Sequence, residues 1–321
     1  MSANKKIKTS RCICKRYMIM KTMTREMLDE RLKWTLDQKI DHAVGVVEEF
    51  KNKTGKIPYV SFSGGKDSTV LLDLCRRFLD KDMKAVFCNT GNEYPEIVKF
   101  VRTFDNITII RPKKKIKDVI EKYGFPLVSK EQSSYIRQFK HAKSKKTIDR
   151  LLGHRFSISK KWRYLLDVHF DISEKCCFYL KKEPFRRFNK ETGMLPILGI
   201  MANESNLRKT TYINRGGCNS FETKIQMSYP LSIWTEKDIY DYIDRFKIPV
   251  CELYTKYGFT RTGCAFCGFG AHNKGDNRFE QLKTLHPKLF NHVLNYKNHG
   301  ITYAQALQSV EVSVNTLDSK D

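Results

Sequence analysis

Ser63-Gly64-Gly65-Lys66-Asp67-Ser68 gathers into six residues the groups that hold a phosphate. The two glycines let the backbone turn tightly and bring N–H groups close to phosphate oxygens. Lys66 adds a mobile full charge, and Ser63 and Ser68 add hydroxyl donors. The string differs from the G-x-x-x-x-G-K-[ST] loop of ordinary NTPases, which lacks the Asp and spaces its glycines differently. A glycine turn before any helix is the plainer explanation, but Lys and Asp together between a strand and a helix speak against it. The second constellation is Cys176-Cys177 with Cys264-Ala265-Phe266-Cys267. A C-x-x-C turn presents two thiolates to one metal or cluster, and another pair can complete four ligands. Structural zinc, an iron–sulfur cluster and unliganded core thiols all remain open. Packing alone accounts badly for a C-x-x-C, and adjacent cysteines suit tetrahedral zinc poorly because neighbouring side chains diverge. Cys218, in Arg215-Gly216-Gly217-Cys218-Asn219, has a glycine-flanked, basic setting that predicts an exposed thiol of lowered pKa. It is read either as a persulfide carrier or extra cluster contact, or as a loop cysteine without a role.

The elements that must position these residues follow from the apolar pattern. Thr24 caps a helix expected to run to Lys53 and to stop at Gly55, with Leu28, Leu32, Leu36, Ile40, Val44 and Val47 on one face. Tyr59–Phe62 reads as a buried strand, and Ser68–Leu79 as the helix that the glycine turn opens. That helix N-terminus would add its partial positive charge at the phosphate. Ala85–Cys88, Ile107–Ile110 and Pro196–Met201 are further strands. Pro95 begins a helix, a basic helix covers Lys113–Tyr123, and Thr235 caps another to Phe246. Strands alternating with helices predict an α/β fold with a doubly wound, mainly parallel sheet. The expected organisation is a basic N-terminal segment and helix (1–56), a nucleotide-binding α/β domain (57–250) and a Cys-containing helical segment (251–321). A charged helical insertion at about 130–190 interrupts the middle domain and is expected beside its site.

Composition narrows the partners. The 321 residues carry 59 Lys and Arg against 35 Asp and Glu, a net charge of +24. Between Lys130 and Lys190 stand 17 basic and 6 acidic residues. Such a surplus favours a polyanion, because neutralising phosphates releases counterions; an unengaged basic surface is the alternative. No apolar run nears the roughly 18 residues of a membrane span. The Lys-rich N-terminus has no apolar signal core, so a cytoplasmic protein is expected. In that compartment ten cysteines suggest metal or thiol chemistry rather than disulfides. Cys12 and Cys14 form an isolated C-x-C in the basic N-terminal tail.

Ser61-Phe62-Ser63-Gly64-Gly65-Lys66-Asp67-Ser68 resembles the PP-loop of the adenine nucleotide α-hydrolase superfamily, whose members share a HUP-type fold. Asn89-Thr90-Gly91-Asn92-Glu93-Tyr94-Pro95-Glu96 resembles the Asp-Thr-Gly…Pro-Glu-Thr segment of its phosphoadenosine phosphosulfate (PAPS) reductase-like branch, with Asn89 in place of Asp. Gly199 to Ser205 with Arg208 resembles that branch's Gly-x-x-x-x-Glu-Ser-x-x-Arg. Tyr229-Pro230-Leu231, Trp234, Asp238 and Ile248-Pro249 resemble its closing stretch. The resemblance implies an adenine nucleotide, ATP or an adenylyl sulfonucleotide, bound by residues Ser61 to Ser68, Asn89, Thr90, Gly91, Gly199 and Arg208. Bottom-up, Arg208 could grip a phosphate in bidentate fashion or merely pair with Glu204 one helical turn before it. Cys-Cys with a distant Cys-x-x-Cys resembles the 4Fe–4S ligand set of adenosine phosphosulfate (APS) reductases, which points Cys176, Cys177, Cys264 and Cys267 at a cluster, with zinc as the alternative.

Sulfonucleotide reductases attack the substrate sulfur with a cysteine on a C-terminal tail, and no cysteine follows Cys267. The loop, the cluster motif, the missing tail nucleophile and the basic insertion together resemble DNA phosphorothioation and tRNA thiolation enzymes. That reading implies adenylation of an oxygen on a nucleic acid and displacement of AMP by sulfur. Lys66 would stabilise the phosphates, Asp67 would orient the loop or hold Mg²⁺, and a cysteine desulfurase or thioredoxin-like protein would donate sulfur. The alternatives are an APS/PAPS reductase using Cys218 or a partner thiol, and a non-catalytic nucleotide- or nucleic-acid-binding module with structural zinc.

Overall fold

The computed structural model describes residues 23–314; Cys12 and Cys14 lie outside them. The strands are β1 (Pro58–Phe62), β2 (Ala85–Cys88), β3 (Ile107–Ile110), β4 (Leu195–Ile197), β5 (Asn219–Ser220), β6 (Met227–Ser228), β7 (Lys297–Asn298) and β8 (Ile301–Thr302). The chain divides into two compact units. One comprises Met1–Ser61, Lys66–Met83 and Leu195–Pro249; the other comprises Phe62–Gly65, Lys84–Met194 and Val250–Asp321.

In the first unit β1 and β4 run parallel, with Tyr59 opposite Pro196 and Val60 opposite Ile197, and β4 runs parallel to β6 at Ile197 and Ser228. Only β5 is antiparallel, returning along β6. Tyr59 and Val60 are fully buried, as strands covered on both faces require. The expected helix over Thr24–Lys53 is two helices, Arg25–Arg31 and Leu36–Thr54. Thr35 causes the break. Its hydroxyl accepts from Gln38 N–H while the Gln38 side chain accepts from Thr35 N–H, a capping box that starts a new helix. Thr24 and Gly55 cap where expected, Gly55 at φ 61°. In the helix Glu236–Phe246, Asp238 accepts from Thr235 N–H and from the buried Lys39 ammonium, both at 2.7 Å. This fixes the end of the helix that carries Glu236.

In the second unit β2 and β3 pair in parallel from Ala85–Ile107 to Cys88–Ile110, at the bounds the sequence pattern predicts. The basic stretch after Ser129 is helical, as expected, with helices Lys130–Lys140, Lys145–Leu152 and Glu183–Thr192. β7 and β8 form a short hairpin. The predicted α/β architecture with mainly parallel strands is therefore what the chain adopts. Among the described residues no helix is long and apolar enough to cross a membrane.

Candidate active site

The hexapeptide follows β1 directly, and its residues divide between the units after Gly65. Gly64 turns at φ 72°, and a Cβ there would stand 2.9 Å from methyls of both Ile97 and Val101. The helix Pro95–Val101 thus leaves no room for a side chain. Gly65 N–H donates to Ser63 Oγ at 3.3 Å. On its other side, Tyr254 OH and Thr262 Oγ1 lie 2.8 Å apart, each 3.2 Å from where a Gly65 Cβ would stand. Three hydroxyls therefore surround a glycine turn, a donor set suited to phosphate oxygens. Phe62 is core: it is 1% exposed and stacks edge-on against Phe104.

Lys66 begins the helix Lys66–Phe78 and is 6% exposed. Its ammonium lies 3.1 Å from Glu236 and 3.8 Å from Asp67 Oδ1. Ser68 is buried two residues on. Gly199 lies after β4, where a Cβ would come within 3.0 Å of the Asp67 carbonyl oxygen and 3.3 Å of Ser68 N. The glycine is what lets the end of β4 approach the first turn of this helix. Arg208 pairs with Glu204 four residues earlier, so the plainer of its two sequence readings is present in the structure.

Asp67 Oδ1 is buried without a hydrogen-bond partner. Burial raises its pKa, opposed by the Lys66 charge. A carboxyl whose pKa is raised by folding costs stability as pH climbs from its unfolded to its folded value. Asp67→Asn should therefore raise the thermal midpoint more at pH 8 than at a pH below the ordinary carboxylate range, where both states are protonated. Equal changes at both pH values would show that the carboxylate carries no desolvation cost.

The turn after β2 is closed by its own side chains. Asn89 Oδ1 accepts from Gly91 N–H at 3.0 Å, and Thr90 donates to Glu93 through N–H at 2.9 Å and Oγ1 at 2.8 Å. Asn89 thus caps the turn through an amide oxygen, an acceptor that an Asp would also supply.

All four predicted cysteine ligands belong to the second unit and are free thiols. Cys176 hydrogen-bonds to Cys177, which raises the pKa of the first and lowers that of the second. Cys264 and Cys267 act electrostatically on Cys176, so the four form one charge cluster. Burial pushes Cys264 up to about 11, opposed by Lys181. The C-x-x-C loop is held at each step. Ala265 N–H donates to Asn92 O at 2.7 Å, and Tyr303 OH donates to Phe266 O at 2.8 Å. Arg278 donates to Cys267 O and Phe269 O at 3.0 and 2.9 Å. The Cys176-Cys177 pair runs into a π-helical turn, Phe178–Lys182. Pro184 has no N–H to offer the Leu180 carbonyl, and Cys88 Sγ donates to that carbonyl instead at 3.2 Å.

Among the described residues no group of three His, Cys, Asp or Glu side chains is spaced to hold a single metal ion. The chemistry of the four cysteines otherwise fits a cluster: four thiols close in charge, with the cations Lys181 and Arg278 beside them.

Cys218 corrects the sequence reading. It is 6% exposed, and burial pushes its pKa up to about 11, against the pull of Arg215 and Arg31. Its sulfur lies 3.6 Å from His42 Nε2. The flanking glycines were read as exposure, whereas Gly217 is itself buried. Glu236, Tyr254, Thr262 and Lys181 were missed as site residues. Thr262 had a signal, since it stands two residues before Cys264; the others meet the site only through the fold.

The model of the phosphoadenosine phosphosulfate reductase domain matches residues 57–156 and 127–268. This chain belongs to that family. The PAPS reductase-family match covers the loop, the turn after β2 and all four cysteines. Two proteins of Methanocaldococcus jannaschii, both named as uncharacterized, are 28% identical over 249 and 250 residues, or 75% and 76% of this chain. The chain spans only 43% and 48% of their lengths. Among solved structures, a Candida auris PAPS reductase in a phosphate complex is similar at TM-score 0.42 and 16% identity, covering 75% of this chain and 96% of that one. Candida glabrata FMN adenylyltransferase in complex with ATP also gives 0.42, at 14% identity, covering 74% and 68%.

Proposed function

We propose that this PAPS reductase-family chain binds ATP, or an adenylyl sulfonucleotide, on Ser63–Ser68 and catalyses attack at the α-phosphorus during sulfur transfer to a nucleic acid. The observation that carries the reading is the 2.7 Å hydrogen bond from Ala265 N–H to Asn92 O. It fastens the C-x-x-C loop to the turn whose motif the family associates with the nucleotide. Cys176, Cys177, Cys264 and Cys267 would hold a 4Fe–4S cluster, which when bound supplies electron or sulfur chemistry.

With ATP, an acceptor oxygen forms a bond to the α-phosphorus while the bond to the β-phosphate oxygen breaks and pyrophosphate leaves. Gly64 and Gly65 let the loop amides approach the phosphates. Lys66 then stabilises the charge that develops there. Asp67 orients the loop or holds Mg²⁺. The terminal sulfur of a persulfide on a partner, such as a cysteine desulfurase or a thioredoxin-like protein, then bonds to the acceptor as the acceptor's bond to AMP breaks, and a second thiol of the partner reduces the resulting disulfide and frees the thiolated acceptor. The buried Cys218 supports no reductase in which its own thiol is the nucleophile.

The test is anaerobic purification with iron, sulfide and zinc analysis, followed by incubation with [α-³²P]ATP and nucleic acid. About four iron and four sulfide per chain, with AMP as product, are expected. ADP as product would overturn the α-phosphorus chemistry. One zinc and no iron would reduce the cysteines to a structural clasp, and sulfite release from APS or PAPS with a thiol would place the chain among sulfonucleotide reductases.

A further inference from the structure

In the second unit, the loop from Gly153 to Ser159 stands Phe156 out in water at 72% exposure. Its backbone is left-handed there, φ 51°, a conformation that is an outlier for a bulky residue and persists only when the surroundings impose it. The surroundings do impose it. Arg150 donates to Phe156 O at 3.0 Å, and Gln132 Nε2 donates to Ser157 O at 3.2 Å. Gln132 Oε1 accepts from Ser159 N–H at 2.9 Å, and Ile158 N–H donates to Leu151 O at 2.7 Å. Four hydrogen bonds thus fix the loop that carries a largely exposed aromatic ring. Nine Lys or Arg and a single acidic residue, Asp149, lie between Lys140 and Arg163. Of these, Lys143, Lys145, Lys146, Arg155, Lys160 and Lys161 are exposed. In the same stretch, a cavity of about 410 Å³ is lined by Leu152, Ile158, Ser157, Ser159, Lys160 and Arg163 among others, a wall of hydroxyls, two cations and two aliphatic side chains. The same segment packs on the stretch that follows the cysteine loop, with Trp162 edge-on against His272 at a centroid distance of 4.9 Å.

We propose that this face docks an unpaired stretch of nucleic acid, with Phe156 stacking on a base and the surrounding cations following the backbone. A fixed aromatic amid dispersed positive charge is the arrangement that single strands bind: stacking is tolerant of sequence, and cations neutralise phosphates. A duplex keeps its bases stacked on each other and offers the ring no partner. The inference names the substrate surface for the nucleic-acid acceptor in the function proposed above, and it rests on that reading for its purpose but not for its test.

The test is fluorescence anisotropy of the full chain, without nucleotide, using a labelled mixed-sequence single strand as RNA and as DNA, and the matching duplex. Wild type should prefer the single strand. Phe156→Ala should weaken single-strand binding by roughly 5- to 100-fold and leave its salt dependence unchanged. Lys145→Ala with Lys146→Ala should lower the salt slope by roughly 1. Phe156→Gly should lose affinity equally while its melting temperature holds or rises, because glycine accepts the positive φ. A structural role for Phe156 would instead lower it. Duplex preference, no binding, or full affinity after Phe156→Ala would overturn the inference. If the strand binds through Phe156 but ATP gives no AMP, the inference stands and the proposed reaction falls; AMP formation without strand binding gives the reverse.

Discussion

Replacing Lys66 with methionine should lower AMP formation by about 10²–10³ while leaving the chain folded. The side chain is 6% exposed, so its ammonium has little water and acts in a medium where its charge is weakly screened. Methionine keeps most of the volume and flexibility of the stem. The Glu236 partner is 60% exposed and can return to solvent, whereas the buried Asp67 carboxyl loses the Lys66 charge and its pKa should rise further. The effect should fall on the rate more than on ATP affinity if Lys66 meets charge that develops during transfer. Steady-state AMP release, an ATP titration and a melting curve would separate these contributions. Unchanged turnover would remove Lys66 from the chemistry.

If the four cysteines hold the proposed cluster, Gly268→Ala should lower the iron content of the purified chain and cost about 1–3 kcal/mol of stability. An added Cβ would stand 2.4 Å from Pro126 O and 2.5 Å from Tyr303 OH. Neither neighbour yields easily. Pro126 adjoins Phe125, whose backbone pairs with Ile172, and the Tyr303 hydroxyl is fully buried and bonded to Phe266 O. The C-x-x-C loop would have to lift, carrying Cys267 away from Cys176 and Cys177. Gly263→Ala is the control beside it. Nothing lies within 4 Å of a Cβ there, so iron content and melting should both hold. Iron retained in Gly268→Ala would mean that the loop can bind its ligand in a displaced form.

Much of the scaffold was legible because its signals are local. The bounds of β2 and β3 follow from short apolar runs between turn residues, and Thr235 announces the helix it caps. The break at Thr35 was equally local, but the apolar face continues past it and hid the new cap. At the site, the glycine loop and the cysteine pairs carry their chemistry in their spacing. Tyr254, Lys181 and Glu236 do not, since each earns its position through contacts made by distant segments. Cys218 failed for a related reason. Glycine and arginine neighbours describe a loop's composition, whereas the reactivity of a thiol depends on whether that loop faces water.

The proline after the cysteine pair acts as a counting device. Leu180 O is left without its usual helical partner by Pro184 and is taken up by the thiol at the end of β2, which ties a strand to one particular residue of the π turn. Deleting a single residue between Cys177 and Pro184 would remove the π turn and shift which carbonyl lies opposite Cys88. Length variation should therefore be harder to tolerate here than side-chain variation. Chains that gain or lose a residue in this turn should lose the Cys88–Leu180 tie.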